Sequence, residues 1–531
     1  MYQSSRFEKS GSEALLPVLE TQNVTPKHTR MPKKYFMLVA AAISCFFMFF
    51  SSALPACLQK AGRKSLQEYH TILHETTPSS RLDDFRNCSI KNFEATGYPF
   101  LDGVKPIARD EFVARRKRLA QALLSDGADA FAVEPGKLRR QARNNSRDGA
   151  LTYTFFWTGY IFSYYANITQ QQWEVWEPEE RPFLMIIQPG AKGEAKTTFL
   201  VPSFEAERAR LLGMPFVDTE DVTWVTYEEH WNPYATLASS KALARTKKHG
   251  SEDAAIKIIV DEEMRDFIAR GLSMQPSFSV AGLGGDVERV RQIKAPAEVA
   301  ILRAVNTGTV EAIRAMRPCL VSGLTENDVA EVLDDTLRAA SLDPFFDIVL
   351  FDDDASNPHG GTDGSRALTN TTMVLIDVGA HLYGYSSDVC RSFFSPFTST
   401  DESTWNADIK HKLAVWQTVY EAQTQSLSAL TLNHSAADVD IEARTVIENA
   451  GYGDAFTHRV GHGIGIKAHE SPYLNKGNVN TPLRAGMTFT SEPGIYLVDK
   501  FGVRHEDVLL VRAEGLPEVL SGERATSAWK P

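Results

Sequence analysis

Two aspartates, Asp377 and Asp388, stand eleven positions apart in the otherwise apolar stretch 371–394. Val374, Leu375, Ile376 and Val378 surround the first, and this density of β-branched and apolar residues predicts strands inside a sheet. A carboxylate there is costly unless donors or a cation compensate it. A single buried Asp is ordinarily satisfied by a turn; two on adjacent strands ask for a cation between them. Three further donors follow. His462 lies in a glycine-flanked run, His458-Arg-Val-Gly-His462-Gly-Ile-Gly; Glu492 precedes a Pro-Gly turn; Glu506 opens an apolar strand. Each alone has an ordinary explanation as a turn or solvated residue. Together, four carboxylates and one imidazole form a hard, oxygen-rich donor set. It suits two divalent cations, manganese first and cobalt or zinc next, better than a thiolate-lined structural zinc site. Such a pair acidifies a shared water and clamps the oxygens of an amide under hydrolysis.

The order Asp377, Asp388, His462, Glu492, Glu506 resembles the metal-ligand signature of the pita-bread metallopeptidases. The Asp spacing, Gly-His-Gly-Ile-Gly, Ser-Glu-Pro-Gly-Ile-Tyr and Arg-x-Glu-Asp all fit. The subgroup it resembles is the proline-specific one, Xaa-Pro aminopeptidases and Xaa-Pro dipeptidases (prolidases), with creatinases as relatives. The resemblance spans about 93–511. It implies that Asp377 holds one metal, that His462 and Glu492 hold the other, and that Asp388 and Glu506 bridge them. Glu492 would also act as general base. His359 would contact substrate, His469 would stabilise the tetrahedral intermediate, and Arg504 would orient the carboxylates. The substrates implied are proline-containing peptides, cleaved at an N-terminal Xaa-Pro bond. A homodimer whose N-terminal domain limits access to the site is implied as well. One residue departs from the pattern: Cys390 stands where a threonine is usual, and a thiol is the weaker donor. Hydrolysis of a small non-peptide amide or guanidine compound, or a non-catalytic binding module, are the other readings. Retention of all five donors argues against the metal-free and ligand-losing versions.

The elements that must position these residues are readable in outline. Segment 109–127 has helical apolar spacing. Segments 130–133, 183–188, 198–202 and 256–261 read as buried strands with helices at 203–212 and 231–244, as in an α/β domain. Pro296 starts a helix that Pro318 stops, Thr325 caps another, and helices follow at 409–427 and 437–450. The fold class expected is α+β: a pita-bread catalytic domain (291–531) preceded by an α/β N-terminal domain (93–290) and a single N-terminal transmembrane helix.

The 531-residue chain carries a net charge of −11, which argues against a nucleic-acid partner. Residues 1–34 read as a polar tail. Residues 35–58 contain no charge and are long enough to cross a bilayer, and 59–92 read as a stalk. These features, with the sequons at Asn87, Asn144, Asn167, Asn370 and Asn433, predict a glycosylated single-pass membrane protein. Its catalytic part would be lumenal or extracellular, or secreted if the segment is a cleaved signal. The five cysteines form no CxxC pair, and a Cys57–Cys88 bridge is conceivable.

Overall fold

The computed structural model describes residues 78–136, 139–144, 151–156, 159–173, 180–246 and 254–531. Its first element is a helix, α1 (Pro78–Glu94), where the composition reads as stalk. Phe85 and Phe93 anchor it in the core at 2% and 0% exposure. Each buried ring contributes roughly 1.5–3 kcal/mol, enough to overrule the charged outer face. On that outer face Arg86 holds Asp335 at 2.8 Å. Cys88 is bridged to Cys319, not to Cys57, which lies outside the described residues.

Helix α2 (Arg109–Ser125) leads into a mixed six-stranded sheet. Its strands are β1 (Ala130–Val133), β2 (Leu184–Pro189), β3 (Ala195–Pro202), β4 (Asp221–Tyr227), β5 (Ile256–Val260) and β6 (Phe278–Ala281). The spatial order is β4-β3-β2-β1-β5-β6. Strands β1 and β2 are buried on both faces, which is why they read as continuous apolar runs.

Helix α3 (Pro296–Met316) follows, with Ile301, Leu302, Val305, Val310 and Ile313 all fully buried. Helix α4 (Glu326–Ala339) begins at a capping box in which the Thr325 hydroxyl accepts from the Asp328 N–H. Against these helices lies an antiparallel sheet. Strand β8 (Met373–Leu382) pairs along its length with β7 (Asp343–Phe351) and β10 (Val389–Phe394), and at its end with the short β9 (Tyr385–Ser386). A second sheet runs β12-β11-β13-β16, from β11 (Gly461–Gly463), β12 (Glu470–Leu474), β13 (Thr488–Ser491) and β16 (Asp507–Leu510). The hairpin β14 (Gly494–Leu497) and β15 (Phe501–Arg504) completes the frame. Helices α5 (Ala407–Ala429) and α6 (Ala436–Asn449) cover it from outside with a second apolar cluster.

The expectation of a single-pass membrane protein is corrected. Among the described residues no helix is long and apolar enough to cross a membrane. The long helices there carry charged residues and bury apolar side chains within the protein, and the segment 35–58 lies outside the described residues.

Two predictions follow from packing. The Cys88–Cys319 bridge closes a span of 231 residues, so the double variant Cys88→Ser, Cys319→Ser should lose about 2–4 kcal/mol in denaturant unfolding. Asp261, just past β5, is 5% exposed; its Oδ1 accepts from the Glu263 N–H at 2.9 Å, while its Oδ2 has no partner. Burial, then Glu263 and Glu262, push its carboxyl up to about 8. The folded chain therefore keeps a proton that the unfolded chain releases near its ordinary value of about 3.9. Stability attached to that proton is present at low pH and is lost as pH rises towards 8. Asp261→Asn should gain melting temperature over the wild type progressively between pH 5 and pH 8; a pH-independent difference would refute the assignment.

Candidate metal centre

Strand β8 carries Asp377 into the interior because its neighbours are apolar on both faces. Arg504, at the end of β15 and 2% exposed, donates from Nη2 to Asp377 Oδ2 at 2.5 Å. Asp388 lies between β9 and β10, where its N–H donates to Asn306 Oδ1 of α3 at 3.1 Å. His462 sits on β11, and Glu492 follows β13, donating its N–H to the Val460 carbonyl at 2.7 Å. Glu506 lies between β15 and β16, its N–H on the Cys390 carbonyl at 3.0 Å. Close strand approach makes this convergence possible. A Cβ on Gly461 would lie 2.1 Å from the Thr490 carbonyl oxygen, and one on Gly379 would lie 2.2 Å from Phe346.

The five sequence-selected donors converge. Ligand atoms of Asp377, Asp388 and Glu506 lie within 4.8 Å of one another, as do those of His462, Glu492 and Glu506, and those of Asp388, His462 and His469. His462 Nε2 is 3.3 Å from Glu492 and 3.5 Å from Asp388. Its Nδ1 lies 3.1 Å from the Gly463 carbonyl. A carbonyl only accepts, so Nδ1 donates there and Nε2 is the nitrogen that faces the carboxylates.

The chemistry of this cluster fits cations. Asp377 Oδ1 and both oxygens of Glu506 are buried without a hydrogen-bond partner. Burial raises Asp388 well above the carboxylate range, and Asp377 and Glu492 add to it. Glu506 is raised by burial and then by Asp388 and Glu492. For Glu492 burial acts in the same sense, but the hydrogen bond and charge of His462 outweigh it and hold the group at about 2. Such a cluster is stable when positive charge enters it.

The site opens into a cavity of about 350 Å³ lined by Phe345, Phe346 and Ile348 of β7 together with His359, Arg459 and His469. His359 stands in an exposed loop at the mouth. The His469 ring lies 3.9 Å from that of His462. His458 and Tyr496 belong to the site without having been selected from the sequence. Arg504 Nη1 donates to Tyr496 Oη at 2.7 Å, and Tyr496 Oη lies 2.8 Å from His458 Nε2. This chain ends on the same guanidinium that holds Asp377. The signal was present in the His458 run and in the Tyr after Glu-Pro-Gly-Ile, but only the fold joins them. Cys390 is buried, packs with Leu350, Ala355 and Leu375, and directs Sγ at the Arg504 carbonyl at 3.6 Å. Its contact is with the arginine backbone, not with Asp388.

Residues 300–513 match metallopeptidase family M24. An uncharacterized peptidase of Schizosaccharomyces pombe is 37% identical over 446 residues, 82% of this chain and 86% of that protein. The chain belongs to metallopeptidase family M24. Among solved structures, the dipeptidase PepE from Mycobacterium ulcerans is similar at a TM-score of 0.60 and 25% identity, covering 79% of this chain and 98% of that one. A prolidase from Thermococcus sibiricus is similar at 0.57 and 25%, covering 77% and 97%. This M24 chain has the pita-bread fold with mixed α and β content.

Like charge in the cluster sets a measurable expectation. With chelator present, Glu506→Gln should raise the melting temperature, because one of four mutually repelling carboxylates is gone. Added manganese should then raise the wild type by more than the variant. Calorimetry in which manganese leaves the wild type unmoved would exclude a metal centre here.

Proposed function

We propose that this M24 chain is a two-metal exopeptidase that hydrolyses the bond between an N-terminal residue and proline, in peptides or in Xaa-Pro dipeptides. The observation that carries the reading is the convergence of Asp377, Asp388, His462, Glu492 and Glu506 in overlapping triads of ligand atoms, four of these residues lining one cavity. Asp377 would hold one cation and His462 the other, with Asp388 and Glu506 shared and Glu492 on the second. The cations, manganese first and cobalt or zinc as alternatives, would supply the charge that polarises an amide carbonyl and acidifies a water.

The protein's own residues do the rest. Arg504 keeps Asp377 in plane, and Tyr496 and His458 fix the guanidinium from behind. Glu492, ionised beside His462, accepts a proton from the attacking water and returns it to the departing nitrogen. His469 and His359, at the cavity wall, donate hydrogen bonds to the oxygen on which charge develops. Phe345, Phe346 and Ile348 offer an apolar wall against which a pyrrolidine ring loses water. In this arrangement 291–531 carries the chemistry and 93–290 restricts approach to it.

The reading is tested by incubating the full chain with manganese and Xaa-Pro peptides of two, three and four residues. The first residue should be released, with activity abolished by chelator and reduced to background in His462→Ala. Absence of metal-dependent release, or full activity in that variant, would overturn it.

A further inference from the structure

The ring of His469 gains little support from its own contacts. Its side chain is 58% exposed, and Nε2 stands 3.7 Å from Asp388, too far for a hydrogen bond. The ring's close neighbour is that of His462, at 3.9 Å. Its place is set by the backbone instead. His469 closes the loop 464–469 between β11 and β12, whose base is the pairing of Gly463 with Glu470. Strand β9 supports the loop from one side. The Ser386 N–H donates to the Gly465 carbonyl at 2.9 Å, and the Ser386 hydroxyl donates to the Ile466 carbonyl at 3.2 Å.

The next residue, Lys467, reaches the N-terminal domain. Its Nζ lies 2.8 Å from Glu262 and 3.1 Å from Glu263, both just past β5. Glu263 is itself fixed, because its other oxygen accepts from the Gly159 N–H at 2.8 Å. After His469 comes Glu470, 3% exposed and paired with Lys294 at 2.5 Å and Arg291 at 3.5 Å. Arg291 also stands 3.5 Å from Glu262, so the two anchors meet. The histidine therefore sits between two ion-paired neighbours.

Ion pairs at a surface contribute little to stability. Lys467 is 15% exposed, with two acceptors for one ammonium. Burial acts to lower that ammonium, but Glu263 and Glu262 outweigh it and hold it above its ordinary value. Two carboxylates at once restrict a stem that is flexible by itself. The consequence is geometric. Only Ala468, itself on the cavity wall, separates Lys467 from His469. A shift at Lys467 has one residue in which to be absorbed before it reaches the imidazole. Donors aimed at a developing oxyanion act through position, and a misplacement of about 1 Å can cost roughly a hundredfold.

We propose that Lys467 is a positioning residue, whose pairing with Glu262 and Glu263 of the N-terminal domain sets His469 in place for the developing oxyanion. The preceding domain then does more than restrict approach. This deepens the exopeptidase reading and rests on it for the role of His469, though not for the placement of its loop.

The test uses the manganese-loaded full chain with Ala-Pro and Ala-Pro-Ala, for wild type, Lys467→Met, Lys467→Arg, Glu262→Gln and the double variant Lys467→Met, Glu262→Gln. Lys467→Met should lower kcat roughly ten- to a hundredfold with KM little changed, since the interaction lost is one made in the transition state. Lys467→Arg, which keeps the charge, should recover most of that loss. Glu262→Gln should lower kcat less, and the double variant should lose no more than Lys467→Met alone. A rise in KM at unchanged kcat, a loss that Lys467→Arg shares, or strictly additive losses would overturn the proposal. Amide hydrogen exchange without substrate separates the two readings. In Lys467→Met it should quicken across 464–470 while β8 and β10 keep their protection. That local loosening in a chain that cleaves nothing would sink the peptidase reading and leave the placement standing. Unaltered exchange there would sink the placement whatever is cleaved.

Discussion

Mutual repulsion among four closely set carboxylates, three of them buried, is the constraint around which this molecule is built. Asp377 lies within a strand, while Asp388, Glu492 and Glu506 sit at the junctions between strands, so the four meet where strand ends converge. One counter-ion of the protein, Arg504, is not enough to balance them, which is why buried oxygens of Asp377 and Glu506 remain without donors. The apolar strands that carry these groups supply the burial free energy that keeps the cluster closed. The glycines of β8 and β11 supply the close approach.

Rigidity of that floor is reinforced from the N-terminal side. Arg115 of α2, 1% exposed, donates to Tyr385 Oη at 2.6 Å, and Tyr385 donates to Glu298 Oε1 of α3 at 2.8 Å. Tyr385 is three residues before Asp388. Arg115 also donates to the Tyr164 carbonyl at 2.9 Å, so one guanidinium ties the first sheet's helical cover to the hairpin bearing two of the four carboxylates.

Much of the site was legible in the sequence because each donor sits in a local context that announces it. Asp377 interrupts an apolar run, His462 is flanked by glycines, and Glu492 precedes a Pro-Gly turn. Helices with strong caps or Pro starts, such as α3 and α4, were legible for the same local reason. What sequence reasoning missed depends on pairing across long separations. The Arg504–Tyr496–His458 chain and the Cys88–Cys319 bridge exist only once the sheets are assembled. Helix α1 was hidden because its outward residues are charged and only Phe85 and Phe93 reveal the buried stripe. Strand β4 was hidden because its exposed edge mixes Thr and Asp with Val and Trp. At Cys390 the sequence pointed to a loosened aspartate, whereas the thiol turns to a backbone carbonyl on another strand.

The Arg115–Tyr385–Glu298 triad has a bearing on how this protein can change over time. A buried cation, a phenol and a carboxylate drawn from distant segments must be kept or exchanged as a set, since losing one strands the other two in the interior. The half that bears the carboxylate cluster is therefore not a transplantable part. It is inherited together with the half that precedes it, and drift in one is answerable to the other.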